Sequence, residues 1–304
     1  MALPEKCPLC RAGAADQTVV TPHVYGAAGK GHAFFHCSVC DVRYQYPGLT
    51  PEEEARFYAA EFESFMGGRS GVSGGWHGVD AHVRANESTR VRRMKYLAPH
   101  LQKPSRVLEF GCSSGFMLAP LAAAGHECFG VEPSGVFSEE LRKRGMSVAR
   151  TLEELHLPSG RRFDLVMHFF VLEHVADPRA FLESQLALLE PGGKLIFEIP
   201  NAADPLYSVY DIPAFERFYW SVAHPWYFSE TSVQYLLGRV SSPYEILLDQ
   251  RYDLSNHMIW ARDGRPGGIG RFSAALGQEL EDSYRQALIR IRKCDTLIGI
   301  ITRQ

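Results

Sequence analysis

Beyond Ser105 the apolar positions settle into a repeating rhythm of short buried runs separated by stretches with one apolar face. The runs are too short for helices, and the stretches between them carry apolar residues every three or four positions. The pattern predicts strands at Arg106 to Phe110, Glu127 to Glu132, Met146 to Ala149, Phe163 to Met167 and Lys194 to Ile199. It predicts helices at Gly115 to Ala124, Val136 to Arg144 and Pro178 to Leu189. Strands alternating with helices call for right-handed crossovers, each of which lays a helix back over the sheet. The fold class expected is therefore α/β, a doubly wound and mainly parallel sheet. Further along, Ser229-Glu-Thr-Ser starts a helix to about Arg239, and Tyr244 to Leu248 with His257 to Ala261 suggests an antiparallel hairpin that finishes the sheet. Gly264 to Gly270 reads as a linker and Phe272 to Lys293 as one amphipathic helix. Thr296 to Thr302 is an apolar, strand-like tail that must cover something, and a second subunit of a homodimer is a candidate.

Ahead of Ser105 the rhythm differs. Pro47 to Ala60 looks helical, with Thr50 as cap and Glu52, Glu53 and Glu54 complementing the positive end of the helix dipole. Phe65 to Gly78 is a glycine-rich loop, and Val79 to Leu101 carries an amphipathic helical repeat. Residues 1 to about 45 hold too few apolar side chains to fold alone, but they contain Cys7-Pro-Leu-Cys10 and Cys37-Ser-Val-Cys40. Two cysteines spaced by two residues can place both thiolates on one tetrahedral ion, and two such turns supply four ligands. A structural zinc on Cys7, Cys10, Cys37 and Cys40 is expected to supply much of the stability of a small ribbon. The domains expected are thus a ribbon at 1–45, a helical cap at 46–104, a sheet domain at 105–262 and a helix with its tail at 263–304.

Composition narrows the class. With 304 residues, 45% hydrophobic and 22% charged, the chain can build one core of about 200 residues with small appendages. Seven cysteines is an odd number, and Cys112, Cys128 and Cys294 lack partners at framework spacing, so a reducing cytoplasm is expected. No apolar run approaches the ~20 residues needed to span a bilayer, and the first residues lack the apolar core of a secretion signal. A net charge of −3 argues against nucleic acid as partner, and Arg90-Val-Arg-Arg-Met-Lys95 reads as a solvated helix face.

The candidate chemistry begins after the first predicted strand of the sheet. Glu109, Gly111 and Gly115 leave a backbone that can turn tightly and approach a ligand at a helix N-terminus. The dinucleotide pattern G-x-G-x-x-G is not met, because Ser113 and Phe116 stand where its later glycines would be. Glu132 ends the next strand, where a carboxylate can accept hydrogen bonds from both hydroxyls of a ribose.

Leu108-Glu-Phe-Gly-Cys-Ser-Ser-Gly115, Gly130-Val-Glu-Pro-Ser134, Phe163-Asp-Leu-Val166, Val171-Leu-Glu-His-Val-Ala-Asp-Pro178 and Leu189-Glu-Pro-Gly-Gly-Lys-Leu195 follow in order. Together they resemble the class I S-adenosylmethionine-dependent methyltransferases, over roughly residues 105–237. The resemblance implies that Gly111, Cys112, Ser113 and Gly115 face the methionine part of the cofactor, with Glu109 among the cofactor-binding residues. It implies that Glu132, with Pro133 beside it, holds the ribose, that Thr151 and Leu152 flank the adenine, and that His168 and Phe169 lie beside the sulfonium. Tyr58 resembles an aromatic brought over the cofactor from the N-terminal side.

On the acceptor side two histidines are candidates for removing a proton. His174 lies just beyond the fourth strand of the predicted sheet, with Glu173 beside it to set its tautomer, and the pair is as well suited to holding the loop. Some relatives bind a divalent metal through glutamates at the positions of 170 and 173 together with the histidine. Phe170 removes one such ligand, so no catalytic metal is expected. His224 lies in Phe218-Tyr-Trp-Ser-Val-Ala-His-Pro-Trp-Tyr-Phe-Ser229, an aromatic segment expected to form an acceptor lid at about 200–229. That segment resembles zinc-carrying sugar C-methyltransferases, whose corresponding histidine is a base, although Ala223 replaces their preceding glutamate. The alternative for His224 is a packed histidine donating to a backbone carbonyl. The function expected is methyl transfer, most simply to oxygen, on a small polar acceptor such as a sugar, nucleotide-sugar or specialised metabolite. Sugar C-methylation, RNA methylation with a zinc module and an inactive cofactor-binding protein are the competing readings.

Overall fold

The computed structural model describes residues 3–27, 31–50, 52, 53, 57, 65, 78–101, 104–158 and 160–304. Tyr58, half of the helix expected at Pro47 to Ala60 and most of the loop expected at Phe65 to Gly78 lie outside the described residues. Three short antiparallel strands come first: β1 (Gln17–Thr21), β2 (Ala33–Cys37) and β3 (Arg43–Tyr46). The amphipathic stretch that follows is two helices, α1 (Gly78–Ala85) and α2 (Glu87–Leu97), broken at Asn86.

The alternating region then builds β4 (Arg106–Phe110), α3 (Leu118–Ala123), β5 (Glu127–Val131), α4 (Gly135–Lys143), β6 (Ser147–Ala149), β7 (Phe163–Phe169), α5 (Pro178–Leu186) and β8 (Leu189–Pro200). Asp177 caps α5, its side chain accepting from the Ala180 amide, and Pro178 sits in the first turn where its missing N–H costs nothing. The strand expected at Lys194 starts earlier, because Phe163 pairs with Leu189 and Leu165 with Lys194, so the residues between bulge out of the ladder.

After β8 come the short helices α6 (Pro205–Ser208) and α7 (Pro213–Tyr219), the two-residue strand β9 (Trp226–Tyr227) and α8 (Glu230–Leu237). Ser229 and Ser232 close a capping box at the start of α8. The chain continues through β10 (Tyr244–Asp249), α9 (Leu254–Asp263), α10 (Ser273–Leu276), α11 (Gln278–Arg290) and β11 (Thr296–Thr302).

Three expectations are corrected here. His257 to Ala261 is not a strand: Asp253 caps a helix by accepting from the Asn256 amide, and Gly264 ends it in the left-handed region. Phe272 to Lys293 is two helices, because Gly277 at φ +83° interrupts the repeat. Thr296 to Thr302 does not cover a partner surface. It enters the main sheet as β11, antiparallel to both β8 and β10, and its side chains from Thr296 to Ile301 are buried there.

The main sheet therefore has seven strands in the order β10-β11-β8-β7-β4-β5-β6, with β4 to β8 parallel. Its two faces carry separate apolar cores, one around Leu108, Val166, Phe197 and Leu236, the other around Val107, Met117, Leu165 and Ile298. The small sheet has the order β1-β2-β3-β9, so its fourth strand comes from the aromatic segment. A third apolar cluster around Phe34, Trp220 and Tyr227 joins that segment to the ribbon. Among the described residues no helix is long and apolar enough to cross a membrane.

Candidate active site

The carboxyl ends of the parallel strands open on a cavity of about 1710 Å³, more than one drug-sized ligand fills. One side of it is built from the turns after β4 and β5. Gly111 has φ +70°, and a Cβ there would stand 2.8 Å from Cγ2 of Val171, so the turn requires glycine. Ser113 is also left-handed, at φ +49°. Its amide donates to Oε2 of Glu132 at 2.6 Å, while the Ser134 amide donates to Oε1 at 2.8 Å. One carboxylate thus bridges the two turns and stands in the cavity wall with Pro133, Ser134 and Phe137. Below it Glu109 is buried, burial pushes its carboxyl up to about 8, and its Oε2 has no hydrogen-bond partner among the described residues.

The remaining cofactor candidates divide. Phe169 lines the cavity, with the Arg93 guanidinium 4.0 Å from its ring centroid. His168 does not: it is wholly buried, stacked on Phe197 with ring centroids 5.3 Å apart, and burial pushes its pKa down to about 3. Successive side chains of a strand point to opposite faces, so Phe169 and His168 cannot both reach the same ligand. Cys112 packs inward, close enough that a Cβ on Gly130 would lie 2.6 Å from its Sγ. Gly115 shapes the turn from beneath the wall, since its own Cβ would meet Leu141 at 2.9 Å. Leu152 packs against the core and the Thr151 hydroxyl accepts from the Glu154 amide at 3.4 Å. Their neighbour Arg150 lines the cavity instead, and its Nε donates to the Pro133 carbonyl at 3.3 Å.

The opposite side holds the histidines. His174 Nδ1 lies 2.5 Å from the carbonyl oxygen of Ala223, and since a carbonyl only accepts, Nδ1 carries the proton. The ring of His224 meets that of His174 edge-on at 4.7 Å. Glu173 is buried beside them, both carboxylate oxygens lack a hydrogen-bond partner among the described residues, and burial pushes its carboxyl up to about 8. Glu173, His174 and His224 present one ligand-type atom each within 4.8 Å of one another, residue types that can hold a metal ion.

The aromatic segment frames this corner. Tyr219 lines the cavity and its hydroxyl donates to the Asn201 carbonyl at 2.9 Å. Tyr227 faces inward, its hydroxyl donating to the Tyr219 carbonyl and accepting from the Ser221 amide. Trp226 Nε1 donates to the Val175 carbonyl at 2.8 Å. Both residues hold the aromatic segment together rather than line the cavity.

In the ribbon, the Sγ atoms of Cys7 and Cys40 are 3.7 Å apart and those of Cys10 and Cys37 3.5 Å. All four lie within 4.8 Å of one another. Ligands at about 2.3 Å around a tetrahedral zinc stand about 3.8 Å apart, so the four thiols fit the ion.

The methyltransferase-domain family model matches residues 82–240, just over half of the 304 residues, and the chain belongs to that family. Its sheet and flanking helices are the fold of the class I S-adenosylmethionine-dependent methyltransferases.

The ubiquinone biosynthesis O-methyltransferase of Cereibacter sphaeroides is 35% identical over 102 residues, 32% of this chain and 41% of that protein. The protein of the same name from Rhizobium etli is 39% identical over 99 residues, 30% of this chain and 39% of that one. The chain thus spans well under half the length of these relatives. Among solved structures, the magnesium protoporphyrin IX methyltransferase of Synechocystis superposes with a TM-score of 0.50 at 16% identity, over 83% of this chain and 98% of that one. The plantazolicin methyltransferase BamL does so with a TM-score of 0.50 at 13% identity, over 82% and 94%. Both were solved with SAH, and both share the fold.

Proposed function

We propose that this protein transfers the methyl group of S-adenosylmethionine to an oxygen atom of a small polar acceptor. The observation that carries the proposal is a single cavity with Glu132 at the tip of β5 on one side and the His174–His224 pair on the other. When bound, the cofactor supplies a methyl group made electrophilic by a sulfonium charge.

The residues present fit such a group. Gly111 and Ser113 keep the backbone low under it, and Glu132, already ordered by two amides, keeps lone pairs to accept from ribose hydroxyls. Phe169 and Phe137 supply apolar walls that exclude water. An acceptor hydroxyl must also lose a proton. With Nδ1 of His174 committed to a backbone carbonyl, its Nε2 is the basic nitrogen of the neutral ring, and His224 lies against it. Glu173, protonated at neutral pH by its burial, leaves that role to the histidines.

Oxygen as the acceptor atom is supported by the names of the curated relatives, which are O-methyltransferases. Sugars, nucleotide-sugars and other specialised metabolites are compatible with a wall that mixes Tyr219 and Asn256 with arginines. The four ribbon cysteines are proposed to hold a structural zinc.

Calorimetry with SAH, followed by transfer of a labelled methyl group to a panel of catechols, sugars and nucleotide-sugars, tests the proposal. Uptake of SAH with transfer to at least one hydroxyl is expected. No SAH uptake at millimolar concentration would refute it.

A further inference from the structure

The cavity wall also carries arginines that the reaction does not require. Strand order explains their position: β5 lies toward one edge of the main sheet and β10 forms the other, so the turn after β10 opens on the acceptor side. Arg92 and Arg93 on α2 are spent on neighbours. Arg92 pairs with Glu198 and with Asp249 at 2.5 Å, and Arg93 Nε donates to Glu198 at 2.6 Å. Arg251, in the turn after β10, is not. Among the described residues its one side-chain hydrogen bond runs from Nη2 to the Tyr252 hydroxyl at 2.6 Å, and no carboxylate lies within ion-pair distance of it.

The turn that presents Arg251 is built rigidly. The carboxylate of Asp295 accepts from Gln250 Nε2 at 2.7 Å, from the Arg251 amide at 2.9 Å, from the Tyr252 amide at 2.8 Å and from the Thr296 hydroxyl at 2.6 Å. Those donors fill both carboxylate oxygens, so Asp295 makes no hydrogen bond to the guanidinium and, with Glu198, acts on it only through space. The ring centroids of Phe170 and Tyr252 each stand 4.4 Å from the Arg251 guanidinium carbon. Phe170 reaches its place through a left-handed backbone at φ +56°, a strained setting for an aromatic residue. Stacked guanidinium groups keep their N–H fork at the edge, the geometry that matches a planar or tetrahedral anion. On α11 a second cation lines the same cavity: Arg285 pairs through Nη1 with Asp282 at 3.7 Å, while its buried Nε has no hydrogen-bond partner among the described residues.

We propose that Arg251 binds an anionic group, carboxylate or phosphate, carried by the acceptor, with Arg285 adding to the attraction. This deepens the proposed function and rests on it. Phe170, Phe218, Tyr219 and Trp260 line the acceptor side, so an aromatic anion is the apt probe.

Protein saturated with SAH is titrated with benzoate, with its neutral analogue benzamide and with phenyl phosphate. At least one anion is expected to bind ten- to a hundredfold tighter than benzamide, roughly the worth of a charge-assisted hydrogen-bonded pair. The tighter of the two anions identifies the acceptor's charged group. Arg251→Gln is expected to abolish the preference while SAH affinity and melting temperature hold, and Arg251→Lys, which keeps charge but loses the fork, to retain a weaker one. Anions binding no better than benzamide, or a preference that survives in Arg251→Gln, would overturn the assignment. Should Arg251→Gln fail to fold, an undiminished preference in Arg251→Lys overturns it equally. Failure of SAH itself to bind would remove the proposed function and this assignment together, whereas intact SAH binding without anion preference removes only the latter.

Discussion

His174 donates from Nδ1 to the carbonyl oxygen of Ala223 at 2.5 Å, which ties the loop after β7 to the residue just before His224. The two histidines are therefore held as one unit, and loss of either ring disturbs the other. His224→Ala is expected to lower turnover about a hundred- to ten-thousandfold, the range of general-base catalysis, with SAH affinity within about twofold. His174→Ala should do at least as much harm, since it also releases the Ala223 carbonyl beside His224. Initial rates beside SAH calorimetry measure both, and wild-type turnover in His224→Ala would leave His174 as the base alone.

Glu132 has a second duty that its place in the sequence did not disclose. Because its carboxylate accepts from the Ser113 and Ser134 amides, Glu132→Ala should weaken SAH binding and also cost about 1–3 kcal/mol of stability through two orphaned amides. Glu132→Gln keeps an acceptor and should recover part of the stability but less of the affinity. Calorimetry with thermal melts separates the two effects, and unchanged affinity in Glu132→Ala would rule out the ribose role.

Removal of the zinc proposed for the ribbon should reach the active site. β9 pairs with β3, and the Gln45 amide donates to the carbonyl of Pro225, the residue after His224. A chelator that strips zinc, or Cys40→Ser, is expected to lower turnover more than tenfold while SAH affinity changes little. Metal analysis should give about one zinc per chain. A second ion, lost in His224→Ala, would instead place a cation among Glu173, His174 and His224.

Glu109 and Glu173 are both held up at about 8 by burial. Between the ordinary carboxylate range near 4.3 and about 8 the folded chain keeps protons that the unfolded chain has released. Stability from these two groups is thus fully present below that ordinary range and is lost as pH rises through about 8. Glu109→Gln and Glu173→Gln should each flatten the fall in melting temperature between pH 6 and 9. A variant with the wild-type slope would mean that its carboxyl is ionised in the folded state.

His168 has two ring nitrogens without hydrogen-bond partners among the described residues, wedged between Phe181 and Phe197. His168→Phe is expected to leave SAH affinity unchanged and to raise stability by about 1 kcal/mol, because a buried unsatisfied polar group is removed. A large loss of SAH affinity would return His168 to the cofactor site.

What could be foreseen from the residues follows the range of the interactions. The turns at Gly111 to Gly115 and at Glu132 depend on local backbone chemistry, and they lie where their motifs put them. The four cysteines likewise meet, as their spacing implies. His168 lies in the core rather than at the cofactor because the strand alternation that turns Leu165, Met167 and Phe169 to one face turns Val166 and His168 to the other, and the motif alone carries no register. His257 to Ala261 is helical where its sequence also suits a strand, because a short apolar run fits both and the Asp253 cap decides for helix. β11 could not be placed from its own residues, since its pairing with β8 spans a long separation in sequence. Arg251 was invisible for a similar reason: a lone arginine acquires meaning only when Phe170, Tyr252 and Asp295 arrive from other elements.

The position of β11 also sets an order of events during synthesis. β4 to β8 can pair as they emerge, and with them the turns that carry Glu132 and Gly111. The exposed margin of β8 must wait for a segment translated long afterwards, and the Asp295 clamp that aims Arg251 arrives with that same segment. A nascent chain should gain its grip on the nucleoside before it can discriminate among acceptors, and stalled ribosome complexes of increasing length would record the two abilities appearing in that sequence.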